Sequence, residues 1–223
     1  MKKIIYNITP FTTVDYKDHL SCIVWFISCN MRCRYCYNPN IVNSKNGEYT
    51  LEDLIDFLKR RVGLLDSVVL SGGEATLHDL QTICNDIKDL GFKIKLDTNG
   101  SNPKLLNTLI KNNLLDFVAL DFKSNEKNFN KITKSYFYDK FIQSLDVLLN
   151  SSVDYEVRTT LHKDLLNEND INEMQETLHK IGYKNDYFIQ NFLEVENLTN
   201  MKKSINFFDK TKVNNHLNII YRD

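Results

Sequence analysis

The chain alternates two hydrophobic patterns along most of its length. Short, nearly continuous apolar runs, typical of buried strands, are followed by segments whose apolar residues recur every three or four positions, typical of amphipathic helices. The strands that these runs predict are 21–28, 67–71, 92–97, 116–122, 154–161 and 187–193. The helices that the longer spacing predicts are 51–61, 78–91, 102–113, 137–151 and 167–182.

Local signals support the predicted helix ends. Thr50 stands at the N-cap position of the first helix, and Asp53 completes a capping box with it. Gly91 and Gly182 follow the last apolar positions of two other helices, where glycine commonly ends a helix. The helical segments therefore have defined limits as well as the right period.

Six strands that alternate with five helices predict parallel strands joined by right-handed crossovers. An open doubly wound sheet and a partial barrel both satisfy this order. We favour an α/β fold, a partial (β/α)6 barrel, because polar residues follow all six strands and the carboxyl ends of barrel strands form one face. We predict one domain over 1–223, with a core at about 20–195 and an extension at 196–223. In the extension, 217–221 is either a last strand or a docking segment.

Composition and charge narrow the class of protein. A chain of 223 residues is long enough for a substantial core. The formal net charge of -1 predicts no bulk attraction to nucleic acid or membranes. We identify no signal peptide and no apolar run of membrane-spanning length. Five unevenly placed cysteines argue against a secreted disulfide framework, so we expect a cytoplasmic protein with reduced thiols.

The segment FISCNMRCRYCYNPN places Cys29, Cys33 and Cys36 within eight residues, without a fourth cysteine nearby. Three thiolates can hold three corners of a [4Fe–4S] cluster and leave one iron without a protein ligand. An open metal position is typical of a catalytic site rather than a structural one. The spacing therefore favours an open cluster.

Three alternatives remain open from the spacing alone. A zinc knuckle needs a fourth protein ligand, and the next soft ligands, His78 and Cys84, lie far along the chain. A closed electron-transfer cluster needs a further ligand from Cys22, Cys84 or a histidine. The third alternative is that the thiols are incidental.

The cysteine spacing, with the aromatic Tyr35 before the last cysteine, resembles the signature of radical S-adenosylmethionine (SAM) enzymes. The sequence SGGEA, one strand later, resembles the glycine-glycine-glutamate motif of that superfamily. The resemblance implies a [4Fe–4S] cluster whose open iron chelates SAM. It also implies reductive cleavage of SAM to methionine and a 5′-deoxyadenosyl radical, which abstracts hydrogen from the substrate.

Further stretches resemble glycyl-radical-enzyme activating enzymes, and above all the activating proteins of anaerobic ribonucleoside-triphosphate reductases. These stretches are PFTTVDY, CIVWF, CNMRCRYCYNPN, GLLDSVVLSGGEATL, GFKIKLDTNGS and DFVALDFK. The resemblance implies that the partner is a glycyl radical enzyme, the reductase large subunit, and that reduced flavodoxin or a similar protein donates the electron. Only Cys22 and Cys84 remain outside the motif, so we expect a single cluster.

The resemblance also implies roles for the residues that follow the second strand. Gly72 and Gly73 would let the backbone approach the ligand, and Glu74 would accept hydrogen bonds from the SAM ammonium group. We expect Glu74 to be accessible to solvent and without a structural role. Family members usually have proline at the position of Ala75, which loosens the turn here but removes no ligand.

Other implied ligand contacts lie near the later strand ends. Tyr35 would contact adenine or only pack in the core, Asp121 would bind the ribose hydroxyls, and Lys123 the methionine carboxylate. Without the barrel, Asp121 and Lys123 would be a weak solvated ion pair. The remaining residues that would line the pocket or the same face are Thr98, Asn99, Arg158 and His162.

Two positions keep competing interpretations. His162 is more readily explained as an ordinary loop residue, since a single histidine after a strand often has no catalytic role. Tyr37 stands where related proteins frequently have histidine, which leaves its role undefined.

Two rival functions accompany the activating-enzyme hypothesis. In the first, the same radical chemistry acts on a small molecule such as a deazapurine precursor. In the second, the chain is a non-enzymatic iron–sulfur or zinc module. SAM binding separates the second rival from the other two hypotheses, and a glycyl radical on a partner separates the first rival from the activating enzyme.

Overall fold

The computed structural model describes residues 2–222, so the terminal residues 1 and 223 of the predicted domain lie outside the described range. All six predicted strands and all five predicted helices are present. The strands are β1 (Ile5–Thr12), β2 (Ser21–Phe26), β3 (Ser67–Gly72), β4 (Lys93–Thr98), β5 (Phe117–Asp121), β6 (Asp154–Leu161), β7 (Tyr187–Asn191) and β8 (Ile219–Arg222). The helices are α1 (Pro39–Asn43), α2 (Leu51–Lys59), α3 (Leu80–Asp89), α4 (Pro103–Lys111), α5 (Glu126–Thr133), α6 (Tyr138–Leu149) and α7 (Glu168–Ile181).

The strands form one sheet in the order β1 to β8. Strands β2 to β8 run parallel to their neighbours, and β1 pairs antiparallel with β2. The predicted partial barrel is therefore confirmed, and it has eight strands rather than six. Of the two alternatives for 217–221, the last strand is correct, because this segment contributes to β8, which is parallel to β7.

Three elements were not predicted, and each has a weak sequence signal. Strand β1 contains Pro10 and lies at the sheet edge, where a missing backbone donor is tolerated. Helix α5 is short and polar, with only Phe129 and Ile132 as buried large apolar residues. Helix α1 has five residues, too few to show a period. Their formation depends on contacts with the rest of the fold.

The predicted caps form as expected. The Thr50 side chain accepts from the Asp53 backbone while the Asp53 carboxylate accepts from the Thr50 backbone, which completes the capping box of α2. Gly91 and Gly182 have φ angles of 87° and 97°, in the left-handed region that ends helices. These local interactions hold the crossover helices in place behind the strands.

Strand residues alternate between two environments. Cys22, Val24 and Phe26 belong to the main core between the sheet and the helices. Ile23, on the other face of β2, joins a small apolar cluster with Val69. The inner face has room for polar residues near the carboxyl ends of the strands, where the candidate site lies. No helix within residues 2–222 has the length and apolar content to cross a membrane.

Candidate active site

One cavity of about 380 Å³ lies at the carboxyl ends of the strands. Every site residue predicted from the sequence except His162 lines this cavity. These residues are Cys29, Cys33, Tyr35, Cys36, Gly72, Gly73, Glu74, Thr98, Asn99, Asp121, Lys123 and Arg158. The barrel therefore brings together residues that are up to 129 positions apart in the chain.

The loop after β2 carries the three cysteines. Its backbone turns tightly, since the Cys36 amide donates to the Cys33 carbonyl at 3.0 Å. The Met31 amide lies 3.4 Å from the Cys29 sulfur and points toward it as a donor. Backbone amides near sulfur atoms stabilise thiolates, and in iron–sulfur proteins they tune the cluster.

Helix α5 holds the outer side of this loop. The Arg32 amide donates to the Thr133 carbonyl at 2.7 Å, and the Arg34 amide donates to the Ile132 carbonyl at 3.0 Å. Both carbonyls belong to the last turn of the helix, where backbone acceptors have no partner within the helix. The unpredicted helix thus has a clear structural role beside the cysteines.

The cysteines fit a cluster that binds each thiolate through a different iron. All three are free of disulfides and line the same cavity. Among residues 2–222, no three side chains of His, Cys, Asp or Glu are grouped as ligands of one metal ion. A zinc knuckle needs such a group around a single ion, whereas a cubane cluster spaces its thiolates across separate irons.

The buried thiols hold their protons in the absence of metal. Burial raises the pKa of Cys29 to about 12, and the nearby Glu74 carboxylate acts in the same direction. Burial also raises the pKa of Cys33 to about 11, although the positive charge of Lys123 opposes the increase. Because iron binds thiolates, loading the site must release these protons.

The two glycines after β3 are required by contact with the cysteine loop. A Cβ atom on Gly73 would lie 1.8 Å from the Ser28 carbonyl oxygen, and one on Gly72 would lie 2.4 Å from the Phe26 amide nitrogen. Gly72 also has a φ angle of 113°. The glycines therefore allow β3 to meet the chain's own loop, in addition to any approach toward a ligand.

The expectation that Glu74 is accessible and not structural is wrong, because this side chain is only 1% exposed. Its carboxylate accepts from the Thr76 hydroxyl at 2.6 Å, the Thr98 hydroxyl at 2.7 Å and the Asn99 amide at 2.8 Å. Burial raises the pKa of Glu74, and these hydrogen bonds oppose the increase. Glu74 joins the ends of β3 and β4 while still facing the cavity.

Five charged side chains cross the opposite wall of the barrel, and we call them the charge layer. The pairs are Lys95–Asp97 at 3.1 Å, Asp97–Arg158 at 3.2 Å, Arg158–Asp121 at 2.6 Å and Asp121–Lys123 at 2.9 Å. The interpretation of Asp121 and Lys123 as a weak solvated pair is therefore wrong. They belong to a largely buried network of alternating charge.

The charge layer keeps its carboxylates ionised. Burial alone raises the pKa of Asp121, but Arg158 and Lys123 outweigh it and lower the value to about 2. Asp97 behaves similarly, because Arg158 and Lys95 overcome the cost of burial and lower its pKa. Three cations and two carboxylates leave one positive charge in excess, which suits an anionic group in the cavity.

Sequence reasoning missed Asp97 and Lys95 as members of the site. Their signal was two charged residues at alternate positions of a buried strand, which places both on the inner face. Asp97 also accepts from the Ser71 hydroxyl at 3.1 Å and lines the cavity. Its partner Arg158 lies on a strand about 60 residues later, so only the assembled barrel shows the contact.

Three aromatic or imidazole positions had alternative roles. Tyr35 is buried and lines the cavity, and its hydroxyl has no hydrogen-bond partner within residues 2–222. Tyr37 lines the cavity too, and its hydroxyl accepts from the Leu193 amide at 2.9 Å. His162 does not line the cavity; its Nε2 donates to the Lys202 carbonyl at 2.8 Å, so it anchors the C-terminal tail.

Comparison with known proteins agrees with this geometry. The chain matches the family model of the radical SAM superfamily over residues 23–181. A Methanocaldococcus jannaschii protein named "Putative glycyl-radical enzyme activating enzyme MJ1227" is 32% identical over 202 residues. That alignment covers 86% of this chain and 81% of the relative.

Two shorter or more distant similarities extend the comparison. The pyruvate formate-lyase-activating enzyme of Clostridium pasteurianum is 32% identical over 129 residues, or 53% of this chain and 52% of that enzyme. The crystal structure of Streptococcus suis SuiB bound to S-adenosylmethionine superimposes with a TM-score of 0.67 and 17% identity. The superposition covers 88% of this chain and 48% of SuiB, and it shows that the two proteins have similar folds. The chain thus spans about half the length of these two proteins.

Proposed function

The chain belongs to the radical SAM superfamily, and from that premise we propose that it is an activating enzyme that generates a glycyl radical on a partner enzyme. The observation that carries the proposal is the 32% identity to a protein named as an activating enzyme over 86% of the chain. A similarity confined to the cysteine loop would support only the shared radical chemistry. This one extends through the later strands, which surround the mouth of the cavity.

Members of the superfamily use a [4Fe–4S] cluster and SAM. When bound, the cluster supplies the electron that cleaves SAM to methionine and a 5′-deoxyadenosyl radical. In this chain Cys29, Cys33 and Cys36 would hold it, because they are free thiols on one cavity wall. The Met31 amide and the Asn99 side-chain amide, 3.4 and 3.9 Å from the Cys29 sulfur, would stabilise the thiolate charge.

The facing wall supplies groups that suit the polar parts of SAM. Lys123 and Arg158 contribute the cations that would bind the methionine carboxylate, and Asp121 would accept from the ribose hydroxyls. Asp121 already contacts Arg158 at 2.6 Å and Lys123 at 2.9 Å, so its orientation is set before any ligand arrives. Such preorganisation reduces the entropy that binding must overcome.

The Glu74 network would hold the SAM amino group indirectly as well as directly. Its carboxylate fixes the Thr98 hydroxyl and the Asn99 backbone at the end of β4. Both residues line the cavity, so their positions define its floor. We propose that Glu74 faces the SAM ammonium group with the accepting capacity that these hydrogen bonds leave unused.

We further propose that the partner is an anaerobic ribonucleotide reductase and that a flavodoxin-like protein supplies the electron. Motif resemblance supports this choice, since the stretches from PFTTVDY to DFVALDFK resemble that group of activating proteins. A reducing cytoplasm suits a site built from three free thiols, so we place the reaction there.

Electron paramagnetic resonance on the partner tests the proposal. Reduced, cluster-loaded protein, SAM and the anaerobic reductase are mixed without oxygen. We expect a glycine-centred doublet that requires SAM, reductant and Cys36. Cys36→Ala should abolish the signal, and Cys84→Ala, at a buried position of helix α3, should retain it. A partner whose target glycine is replaced by alanine serves as the second control.

Two results would contradict the activating-enzyme proposal. If SAM is cleaved but no glycyl radical enzyme acquires a radical, while a nucleobase precursor is turned over, the chain acts on a small molecule. If SAM does not bind to the cluster-loaded protein, both enzymatic hypotheses fail.

A further inference from the structure

A second groove lies beside the mouth of the catalytic cavity. It has a volume of about 320 Å³ and is formed by the ends of β6 and β7 and the C-terminal tail. We call it the tail groove, and its lining residues are Leu161, His162, Lys163, Asn191, Phe192, Leu193, Lys203, Ser204, Phe208 and Lys210. Nothing in the radical chemistry described above uses it.

The wall formed by the tail is held by specific side chains. His162, only 1% exposed, donates from Nε2 to the Lys202 carbonyl at 2.8 Å. The Asp164 carboxylate accepts from the Ser204 hydroxyl at 2.5 Å and from the Asn206 amide at 2.6 Å. These contacts join the loop after β6 to the tail, so the groove is a built feature of the fold.

The groove carries positive charge without compensation in its lining. Three of its lining residues are lysines, and none of the lining residues identified within residues 2–222 is Asp or Glu. The Lys210 ammonium group lies 3.8 Å from the centre of the Tyr221 ring, a cation–π contact that keeps the positive charge at the groove. The neighbouring Asp164 and Glu194 carboxylates stay ionised but lie outside the lining, where they accept from the Ser204 hydroxyl and the Lys203 backbone amide. An anionic ligand is therefore favoured here.

Large apolar side chains extend the groove outward along the same tail. Leu193 and Val195 are 51% and 52% exposed, and Phe207 and Ile205 are 83% and 101% exposed. Scattered exposed apolar residues are ordinary, but four within fifteen residues, beside a groove with an apolar floor, are typical of an interaction surface. A small anion would leave these side chains uncovered.

The tail groove is continuous with the catalytic cavity. Asn191 and Leu193 line both spaces. A chain lying in the groove would therefore direct its next residues past Leu193 into the cavity.

We propose that the tail groove binds an acidic segment of the partner polypeptide, containing apolar side chains, next to the residue that receives the radical. The lysines of the groove would pair with the carboxylates of this segment, and the exposed apolar residues of the tail would pack against its apolar side chains. This inference rests on the proposed function, because it assumes a protein substrate. It assigns the C-terminal tail a role in substrate recognition.

Charge reversal at the groove tests the inference. The variant carries Lys163→Glu, Lys203→Glu and Lys210→Glu, and the matched control carries Lys104→Glu, Lys111→Glu and Lys140→Glu on exposed positions of the outer helices. The probes are a fluorescein-labelled acidic decapeptide containing phenylalanine and glycine, and the same peptide with lysine in place of each acidic residue. Binding to the cluster-loaded protein is followed by fluorescence anisotropy at two salt concentrations.

We expect the acidic peptide to bind wild type and control equally and the groove variant at least about ten-fold more weakly, since three charge contacts are reversed. High salt should weaken wild-type binding and leave the variant unchanged. Equal affinity of groove and control variants, or equal binding of the acidic and lysine peptides, would overturn the inference. Unchanged SAM cleavage without partner shows that the variant is folded and loaded.

A second measurement separates this inference from the proposed function. Glycyl radical formation on the partner is measured for the same variants at several partner concentrations. A raised KM for the partner with little change in kcat supports both proposals. If the groove variant activates the partner like wild type, the groove inference fails and the function stands. If the peptide binds as expected but no partner ever acquires a radical, the proposed function fails while the groove remains an acidic-peptide site.

Discussion

The two walls of the catalytic cavity differ in how their chemical groups are satisfied. On one wall, Cys29, Cys33 and Cys36 have no disulfide partners, and burial keeps at least Cys29 and Cys33 protonated. On the other wall, the charge layer pairs each carboxylate with two cations. The three thiols have no disulfide partner, whereas each carboxylate of the charge layer already contacts two cations.

This difference indicates a division of roles. Neutral thiols tolerate burial without metal, so the loop can fold first and exchange its protons for iron later. Buried carboxylates and guanidinium groups need their ion-pair partners when the protein folds, since an unpaired buried charge is strongly unfavourable. Substitutions on the cysteine wall should therefore affect cofactor loading, and substitutions in the charge layer should affect folding.

The largest expected effect is complete loss of the cluster on substitution of a cysteine. Wild type should contain about four irons and four sulfides per chain after anaerobic reconstitution. Cys33→Ala should contain none, because one corner of the cluster has lost its ligand, and Cys29→Ala and Cys36→Ala should behave alike. Iron and sulfide analysis measures this, with Cys84→Ala as a control that keeps the cluster. About eight irons, or one zinc without sulfide, would contradict the assignment.

Arg158→Met should have the next largest effect, on folding rather than on cluster content. It removes the cation shared by Asp97 and Asp121, and breaking a buried pair in this way typically costs about 3–5 kcal/mol. Urea denaturation of the metal-free protein measures the change in the free energy of unfolding. Arg60→Met, at an exposed position, should change it by less than about 0.5 kcal/mol. Equal stability of the two variants would show that the charge layer does not support the fold.

The protonation of the cysteine wall predicts slow thiol modification in the metal-free protein. With a pKa of about 11 instead of 9.0, Cys33 should have roughly a hundred-fold less thiolate at pH 8 than an ordinary cysteine. Alkylation by iodoacetamide, followed by peptide mass spectrometry, should be slower by at least that factor and rise about ten-fold per pH unit. A rate equal to that in denaturant would mean that the thiol is already ionised.

The sign of the accompanying stability change follows from the raised pKa. Below about pH 9 both the folded and the unfolded thiol are protonated, so the stability of the metal-free protein is independent of this group. Between pH 9 and about 11 the unfolded thiol loses its proton first, and the free energy of unfolding should fall.

The smallest expected effect concerns the tail segment behind the cysteine loop. The Thr199 hydroxyl donates to the Arg34 carbonyl at 2.8 Å. Thr199→Val should lower the free energy of unfolding by about 0.5–1.5 kcal/mol, the usual net value of one hydrogen bond. It should also speed iron loss to a chelator. Thr177→Val, which removes a hydrogen bond to the Glu173 carbonyl within helix α7, is the matched control and should not affect iron loss.

Much of the fold could be predicted because strand and helix periods are local properties. Alternation of the two patterns is enough to predict parallel strands, and parallel order is enough to place the strand ends together. Strand β1 and helix α5 escaped prediction because their stability comes from neighbours. In α5, the carbonyls of Ile132 and Thr133 are used by the cysteine loop, a partner that no local pattern reveals.

The candidate site divides in the same way. Cys29, Cys33, Cys36 and the glycine pair lie in short motifs, so the sequence by itself predicted them as candidate site residues at strand ends. The burial of Glu74 depends on how closely β3 approaches β4, which a motif does not specify.

The sequence determined the order and type of the main elements, the three thiols and the polar strand ends, because each depends on residues close together in the chain. Only the tertiary structure decided which charges meet. Asp97 contacts Arg158 because β4, β5 and β6 are neighbours and both side chains point inward. The tail forms a wall of the tail groove because His162 donates a hydrogen bond to the Lys202 carbonyl. The energy of a buried charge depends on its partners in space, and those partners are set by the closure of the barrel rather than by distance along the chain.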